Sequence, residues 1–226
     1  MIISEKSKSL EEQVYLRLEE DILCGVYKRG DALTENALSH RLGVSRTPVR
    51  AALHRLGEEG LVELIPHKCA VVIGVTIEDL VDTYRIRMRL EGLATAMATG
   101  RLTRDDEREL WEVLSNTEKC TARVDADRIK ELDSTFHSII YRASGNRMLC
   151  RILSELHRNT RTYRKLSLAM PGRLEKSLEE HRAILEAMLE GDSDRADSLT
   201  SLHIEEAMKA MVEAMRRHEE TSRTPV

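Results

Sequence analysis

Apolar residues near the start of the chain recur at helical spacing and predict three short helices. The first helix spans 9–24, where apolar side chains recur every three or four residues. The second follows Thr34, a residue type that caps helices, and ends at Gly43, while the third is capped by Ser45 and continues to about Glu59. Because only Gly-Val-Ser separates the second helix from the third, the two form a helix-turn-helix.

Two short apolar segments follow, and the pattern is then helical to the end of the chain. Segments 61–65 and 70–75 predict the two strands of a β-hairpin, which would be the wing of a winged helix-turn-helix. Six further helices are predicted, near 77–99, 104–120, 125–143, 146–168, 173–190 and 193–218. We therefore expect a mainly α protein with a winged helix-turn-helix domain over 1–75 and an antiparallel six-helix bundle over 76–226.

Composition and charge narrow the function classes. Aromatic residues make up only 3% of the 226 residues, which disfavours an extensive sheet, and the net charge of −4 means that nucleic acid would need a local basic patch. No segment approaches the roughly 20 apolar residues that cross a bilayer, and the start has no apolar signal core, so we expect a cytoplasmic protein without a membrane partner. Consecutive cysteines of the four lie 30 to 51 residues apart, without the close spacing of a disulfide framework, which predicts reduced thiols.

A basic segment coincides with the predicted helix-turn-helix. Residues 41–55 contain four arginines and no acidic residue, and such a local cluster of positive charge attracts the phosphates of nucleic acid. Arg46 and Arg50 are one turn apart at the front of the third helix, and arginine suits guanine O6 and N7 bidentately. The alternative is a solvated helix face, but the turn, the cap and the downstream hairpin favour DNA binding.

Short polar residues flank these two arginines. Ser45 and Thr47 are suited to hydrogen bonds with phosphate oxygens at the helix N-terminus. His67 and Lys68 at the hairpin tip are candidates for the minor groove, although hairpin tips are polar in most proteins. All six residues enter the predicted DNA-binding set.

The sequence from Leu33 to Val62, which includes LGVSRTPVRAALHRLGEEG, closely resembles the DNA-binding signature of the GntR family of bacterial transcription regulators. The resemblance implies a homodimer that binds a palindromic operator in double-stranded DNA, with base contacts from the positions of Arg46 and Arg50. Two residues depart from the family pattern. Ala51 stands where glutamate is common, and Cys69 stands where the wing usually carries the conformationally freer glycine.

A carboxylate and three imidazoles lie on apolar helix faces in the second part of the chain. Asp133 and His137 are four residues apart and share one face, while His181 and His203 lie on the apolar stripes of two later helices. Unpaired burial of such groups costs several kcal/mol. One explanation is core histidines with backbone partners, and the other is a single divalent transition metal per chain, such as zinc, nickel or manganese.

Three segments of this part resemble the FCD ligand-binding domain of the FadR-type subfamily. They read LDSTFHSIIYRASGN, EEHRAILEAM and SLHIEEAM, and they match the stretches that carry Asp-x-x-x-His and two later histidines in that domain. The resemblance implies an all-helical effector-binding and dimerising domain whose metal ligands are Asp133, His137, His181 and His203.

Arg87 occupies the arginine position of the R-x-x-L-E pattern of the same family. Next to a metal with open coordination positions, its guanidinium would bind a small organic acid, with the metal taking one oxygen and Arg87 the other. The alternative is an ion pair with Glu91, four residues later on the same helix face. We favour the effector-binding role.

These patterns predict a metal-containing, effector-responsive transcription regulator that represses genes for the uptake or breakdown of a small organic acid. It would be associated with the nucleoid when bound to DNA. Two alternatives stay open at this point, namely a DNA-binding regulator with a purely structural metal and a metal-dependent hydrolase. The second is disfavoured because no H-E-x-x-H or similar spacing supplies a general base beside the metal.

Overall fold

The chain divides into two compact units, Met1–Thr76 and Ile77–Val226. The computed structural model describes residues 9–23, 25–66, 68–73, 76–121, 126–168 and 170–223. Within these residues, no helix is both long enough and apolar enough to cross a membrane.

The first unit is a three-helix domain with a small sheet. Its helices are α1 (Leu10–Leu23), α2 (Glu35–Leu42) and α3 (Arg46–Glu58), and its strands are β1 (Ala32–Leu33), β2 (Val62–Ile65) and β3 (Cys69–Val72). Thr34 caps α2 by accepting a hydrogen bond from the Ala37 amide, and Gly43 ends it in the left-handed conformation at φ 66°. Ser45 occupies the N-cap position of α3, but its side chain makes no capping hydrogen bond.

The sheet is antiparallel, in the order β1-β3-β2. The predicted hairpin forms, with Ile65 opposite Cys69, and β1 adds to its free edge, with Leu33 opposite Ala70. Strand β1 was not predicted because two residues cannot display an alternating pattern. The sheet, α1 and α3 enclose one apolar core, in which Leu18, Val49 and Leu56 are fully buried.

The second unit is helical throughout its described residues. Its helices are α4 (Ile77–Ala98), α5 (Arg104–Thr121), α6 (Ala126–Ala143), α7 (Arg147–Asn159), α8 (Arg161–Leu168), α9 (Arg173–Leu189) and α10 (Ser193–Arg223). The helix expected over 146–168 is interrupted at Thr160, whose backbone leaves the helical region at φ −95°, ψ 4°. The described residues of this unit therefore form seven helical segments, where six helices were expected. No glycine or proline marks the interruption, so the sequence carried no signal for it.

The core of this unit brings α5, α6 and α9 together around Leu114, Phe136 and Leu185. On the other side, α4 packs closely on α10. A Cβ atom at Gly92 would collide with the Asp197 carboxylate, which would have to move, so the two helices are close at this position. The packing directs polar side chains of α4, α6, α9 and α10 into one interior site.

Candidate metal centre and DNA-binding surface

The four predicted ligands meet in the interior of the helical unit. Helix α6 supplies Asp133 and His137, α9 supplies His181 and α10 supplies His203. All four side chains are buried, and one ligand atom from each lies within 4.8 Å of all the others. Residues that span 70 positions of the sequence thus converge as a set of three nitrogens and one oxygen.

The separations between the ligand atoms are close to those of a coordination polyhedron. Nε2 of His181 lies 3.2 Å from Nε2 of His203. Oδ1 of Asp133 lies 3.9 Å from Nε2 of His137 and 3.8 Å from Nε2 of His181. Metal bonds of about 2.1 Å require ligand separations of roughly 3.0–3.4 Å, so small side-chain movements would complete the site.

Two glutamates, the buried Glu91 and the partly exposed Glu180, lie against two of the three histidines. Oε2 of Glu180 lies 2.7 Å from Nδ1 of His203, and Oε2 of Glu91 lies 3.0 Å from Nδ1 of His137. A carboxylate at Nδ1 keeps the proton on that nitrogen and directs the unprotonated Nε2 toward the other ligands, which is the usual surroundings of a metal-binding histidine. Neither glutamate was predicted as a partner of a histidine, because the pattern of each is that of an ordinary charged residue in a helix.

The electrostatics of the cluster favour its metal-binding protonation state. Burial, reinforced by the neighbouring imidazoles, holds the pKa of His181 and of His203 well below the usual value. Burial alone would raise the pKa of Asp133, but the Arg164 guanidinium and the imidazoles lower it to about 2. At neutral pH Asp133 is therefore a carboxylate and the imidazoles of His181 and His203 are neutral, which are the forms that bind metal.

Arg87 lies beside the cluster and is engaged within the protein. Its Nε donates a 2.7 Å hydrogen bond to Oε1 of Glu91, and its Nη1 donates a 3.2 Å hydrogen bond to Thr160. Both members of the ion pair are about 1% exposed. The ion pair with Glu91, which was the alternative role expected for Arg87, is thus present, and it is buried.

A cavity of about 20 Å³ adjoins the cluster and has room for about one water molecule. Its lining includes Arg87, Arg164 and Arg173. Arg164 pairs with Asp133 at 3.0 Å, and Arg173 pairs with Glu180 at 2.9 Å. The Nε atoms of Arg164 and Arg173 are buried without a hydrogen-bond partner among the described residues. Neither arginine could be predicted to line a cavity, since both lie in polar helical segments.

In the first unit, Glu35 binds the two predicted base-contacting arginines together. Arg46 donates from Nε and Nη2 to Oε2 of Glu35, at 3.1 and 2.9 Å. Arg50 donates from Nε to Oε1 at 2.6 Å and from Nη2 to Oε2 at 2.8 Å. Both arginine side chains are more than half exposed, so their guanidinium groups lie at the surface in a fixed arrangement.

The other two arginines of the basic segment connect helices. Arg41 lies 3.4 Å from the buried Asp21. Arg55 binds Glu12 at 2.6 Å and lies 3.6 Å above the ring of Tyr15. All four arginines were expected to attract phosphates, whereas Arg41 and Arg55 are held by acidic groups on α1.

Of the remaining predicted DNA contacts, Lys68 lines a groove between α3 and the hairpin. Ser45, Thr47 and Lys68 are exposed, and His67 lies outside the described residues. The groove has a volume of about 720 Å³, and its lining includes Arg46, Arg50 and Lys68. The helix-turn-helix and the wing therefore contribute to one concave surface.

Comparisons with known proteins agree with both units. The family described as "Bacterial regulatory proteins, gntR family" matches residues 10–72, and the FCD domain matches residues 82–206. The chain is 33% identical to the HTH-type transcriptional regulator McbR of Escherichia coli over 67% of this chain and 68% of that protein. It is 30% identical to the gluconate operon transcriptional repressor of Bacillus subtilis, over 84% of this chain and 79% of that protein.

A solved structure of E. coli McbR/YncC superimposes with a TM-score of 0.67 at 27% identity, covering 95% of this chain and 99% of that one. These likenesses extend over the winged helix-turn-helix and the helical domain, and they identify a DNA-binding transcription regulator and not an enzyme. The chain belongs to the GntR family of bacterial transcription regulators, in the group that carries an FCD domain.

Proposed function

We propose that this regulator is a repressor whose DNA affinity is controlled by a small carboxylate bound beside a divalent transition metal. The observation that carries the proposal is the buried set Asp133, His137, His181 and His203, with ligand atoms within 4.8 Å. Three nitrogens and one oxygen suit zinc, nickel or manganese, and such a metal supplies a Lewis-acidic position for a carboxylate oxygen. The carboxylates at Nδ1 of His137 and His203 support this assignment.

The effector would lie in the cavity beside the cluster. Arg87, Arg164 and Arg173 line this cavity, and arginine binds carboxylates through paired N–H groups. The buried, unpartnered Nε atoms of Arg164 and Arg173 support an anionic ligand. Because the cavity holds about one water molecule, effector binding requires the surrounding side chains to move apart. One relative is named as the repressor of a gluconate operon, and gluconate is a small organic acid.

At the DNA, Arg46 and Arg50 would contact base edges in the major groove. Ser45 and Thr47 would bind phosphates, and His67 and Lys68 would follow the wing to the minor groove. The groove between α3 and the hairpin supports this assignment, because Arg50 and Lys68 line it from opposite sides. The protein would act in the cytoplasm.

A palindromic operator requires two copies of the helix-turn-helix, and we assign their association to α4 and α7. These helices expose four large apolar side chains, namely Ile86, Leu93, Met148 and Ile152. The two helices also pack against each other around Leu149 and Leu153. Exposed apolar side chains on adjoining helices are typical of a surface that another protein covers, and a second copy is the partner that a palindrome demands.

A structural metal is the second candidate, and the paired state of the cavity favours it. Each cavity arginine already pairs with a carboxylate, so none of the three needs an anionic ligand to balance its charge. A structural metal predicts a melting temperature that depends on metal without any response to carboxylates.

The two functions are separated by measuring DNA binding with and without candidate effectors. Metal-loaded protein would be bound to fluorescent duplexes selected from a random pool, and gluconate and other small carboxylates would be added in turn. Release by one carboxylate, lost after chelation, is expected for effector control, because the effector must bind the DNA-bound and DNA-free states with different affinity. If a carboxylate binds the protein and DNA affinity does not change, effector control is wrong.

A further inference from the structure

We propose that Glu35 is a specificity-determining residue of the DNA-binding surface, which fixes Arg46 and Arg50 side by side while leaving both free to contact bases. The inference rests on the proposed role of the two arginines as base-contacting residues. It goes beyond that role, because the carboxylate belongs to the preceding helix, α2, and touches no base itself.

The hydrogen bonds use only one edge of each guanidinium. Both arginines bind Glu35 through Nε and Nη2, which form the side edge of the group. The other edge consists of Nη1 and the second Nη2 hydrogen, and Nη1 of neither arginine has a hydrogen-bond partner among the described residues. This end edge has two parallel donors, which is what O6 and N7 of guanine require. Glu35 can therefore hold both arginines during base contact.

The position of Glu35 makes the arrangement rigid. It is the first residue of α2, directly after the Thr34 cap, and its side chain is only 25% exposed. Hydrogen bonds from Arg50 and Arg46 lower the pKa of the carboxyl group to about 2, so Glu35 is ionised throughout the physiological range. Ordering two long arginine side chains before DNA arrives lowers the entropy cost of binding.

The charge of Glu35 also affects discrimination. Two arginines without a counter-ion attract phosphates of any sequence, because binding to phosphate does not depend on the bases. One carboxylate reduces the local charge from +2 to +1 and occupies the donors that would otherwise reach for the backbone. Glu35 thereby weakens binding to unrelated DNA while it preserves binding to correctly placed guanines.

The test compares wild-type protein with Glu35→Gln in a selection from random DNA duplexes, followed by sequencing of the bound fraction. We expect the variant to select a weaker motif and to bind the unselected pool more tightly. The preference for the selected motif should fall on the order of tenfold, within the range of one bidentate base contact. For the unselected pool, affinity should also decrease more steeply with salt, because the released guanidinium groups contact phosphates.

Glu20→Gln is the matched control, because it removes the same charge from an exposed position on α1 of the same unit. The proposal is overturned if Glu35→Gln raises the affinity for all sequences equally and retains the wild-type motif. In that case Glu35 is a counter-ion that competes with DNA. Arg46→Ala and Arg50→Ala separate this failure from that of the proposed function. A motif unchanged in both variants would show that the arginines do not contact bases, and the role of Glu35 would be wrong with them.

Discussion

At the scale of single residues, two glutamates influence which nitrogen His137 and His203 present to the proposed metal site. Glu180 and Glu91 contact the Nδ1 atoms of His203 and His137, so the Nε2 atoms face Asp133 and His181. A set of four ligands without these partners would lose orientation, because an imidazole can rotate and exchange its two nitrogens. The proposed metal site is thus a cluster of six residues.

Replacing Glu180 with glutamine should weaken metal binding about 10- to 100-fold, which is the usual effect of removing a carboxylate behind a ligating histidine. Competition with a chromophoric chelator would measure the affinity. Glu179→Gln provides the control, because Glu179 is the exposed neighbour on the same helix. Equal metal affinity in the two variants would mean that Glu180 does not support His203.

Replacing Arg46 or Arg50 with alanine should cost about 1–3 kcal/mol of discrimination between operator and unrelated DNA, because a bidentate base contact contributes roughly that much. The helical unit should remain folded, since both side chains are largely exposed in the other unit. Titration of a selected and a scrambled duplex by fluorescence anisotropy gives the ratio. An unchanged ratio in both variants would remove these arginines from the base-contacting surface.

The sequence was informative about residues that break a pattern and uninformative about residues that follow one. Asp133 and His203 could be predicted because each is polar at an apolar helical position. Arg164 and Glu180 could not, because a charged residue in a polar helical segment gives no sign that the fold will bury it. Glu35 could not be predicted either, since its salt bridges to Arg46 and Arg50 connect two different helices.

At the scale of helices and strands, glycine and capping residues were good predictors of boundaries. The end of α2 at Gly43 follows from the freedom of glycine at positive φ. At the interruption, the Thr160 hydroxyl accepts a hydrogen bond from the buried Arg87 of α4, and no local sequence pattern could have predicted this contact. Strand β1 likewise exists only because β3 offers it an edge.

The same helix, α4, contains a buried and an exposed ion pair, which allows a matched comparison. Arg87→Met should lower the free energy of unfolding by about 3–5 kcal/mol, because it leaves Glu91 buried without its partner. Arg85→Met removes the exposed pair with Asp82, and it should cost between about 0 and 1 kcal/mol. Urea unfolding of both variants gives the difference. If both substitutions lower the free energy of unfolding by the same small amount, the buried ion pair contributes no more to stability than the exposed one.

At the scale of the whole molecule, the proposed dimer depends on the exposed apolar residues of α4 and α7. Leu93→Arg should convert the dimer to a monomer, because it places a charge in the centre of the proposed interface. Leu189→Arg is the control, since Leu189 is similarly exposed at the end of α9. Light scattering gives the mass in solution. A dimer retained by Leu93→Arg would exclude this part of α4 from the interface.

The central claim is that the buried Asp-His cluster binds a transition metal, and elemental analysis tests it most directly. Tag-free wild-type protein and Asp133→Ala would be incubated with zinc, nickel and manganese, freed of excess metal and measured side by side. The account predicts about one metal ion per chain in the wild type and loss of that metal in Asp133→Ala. Absence of metal from the wild type, or full occupancy in the variant, would contradict it.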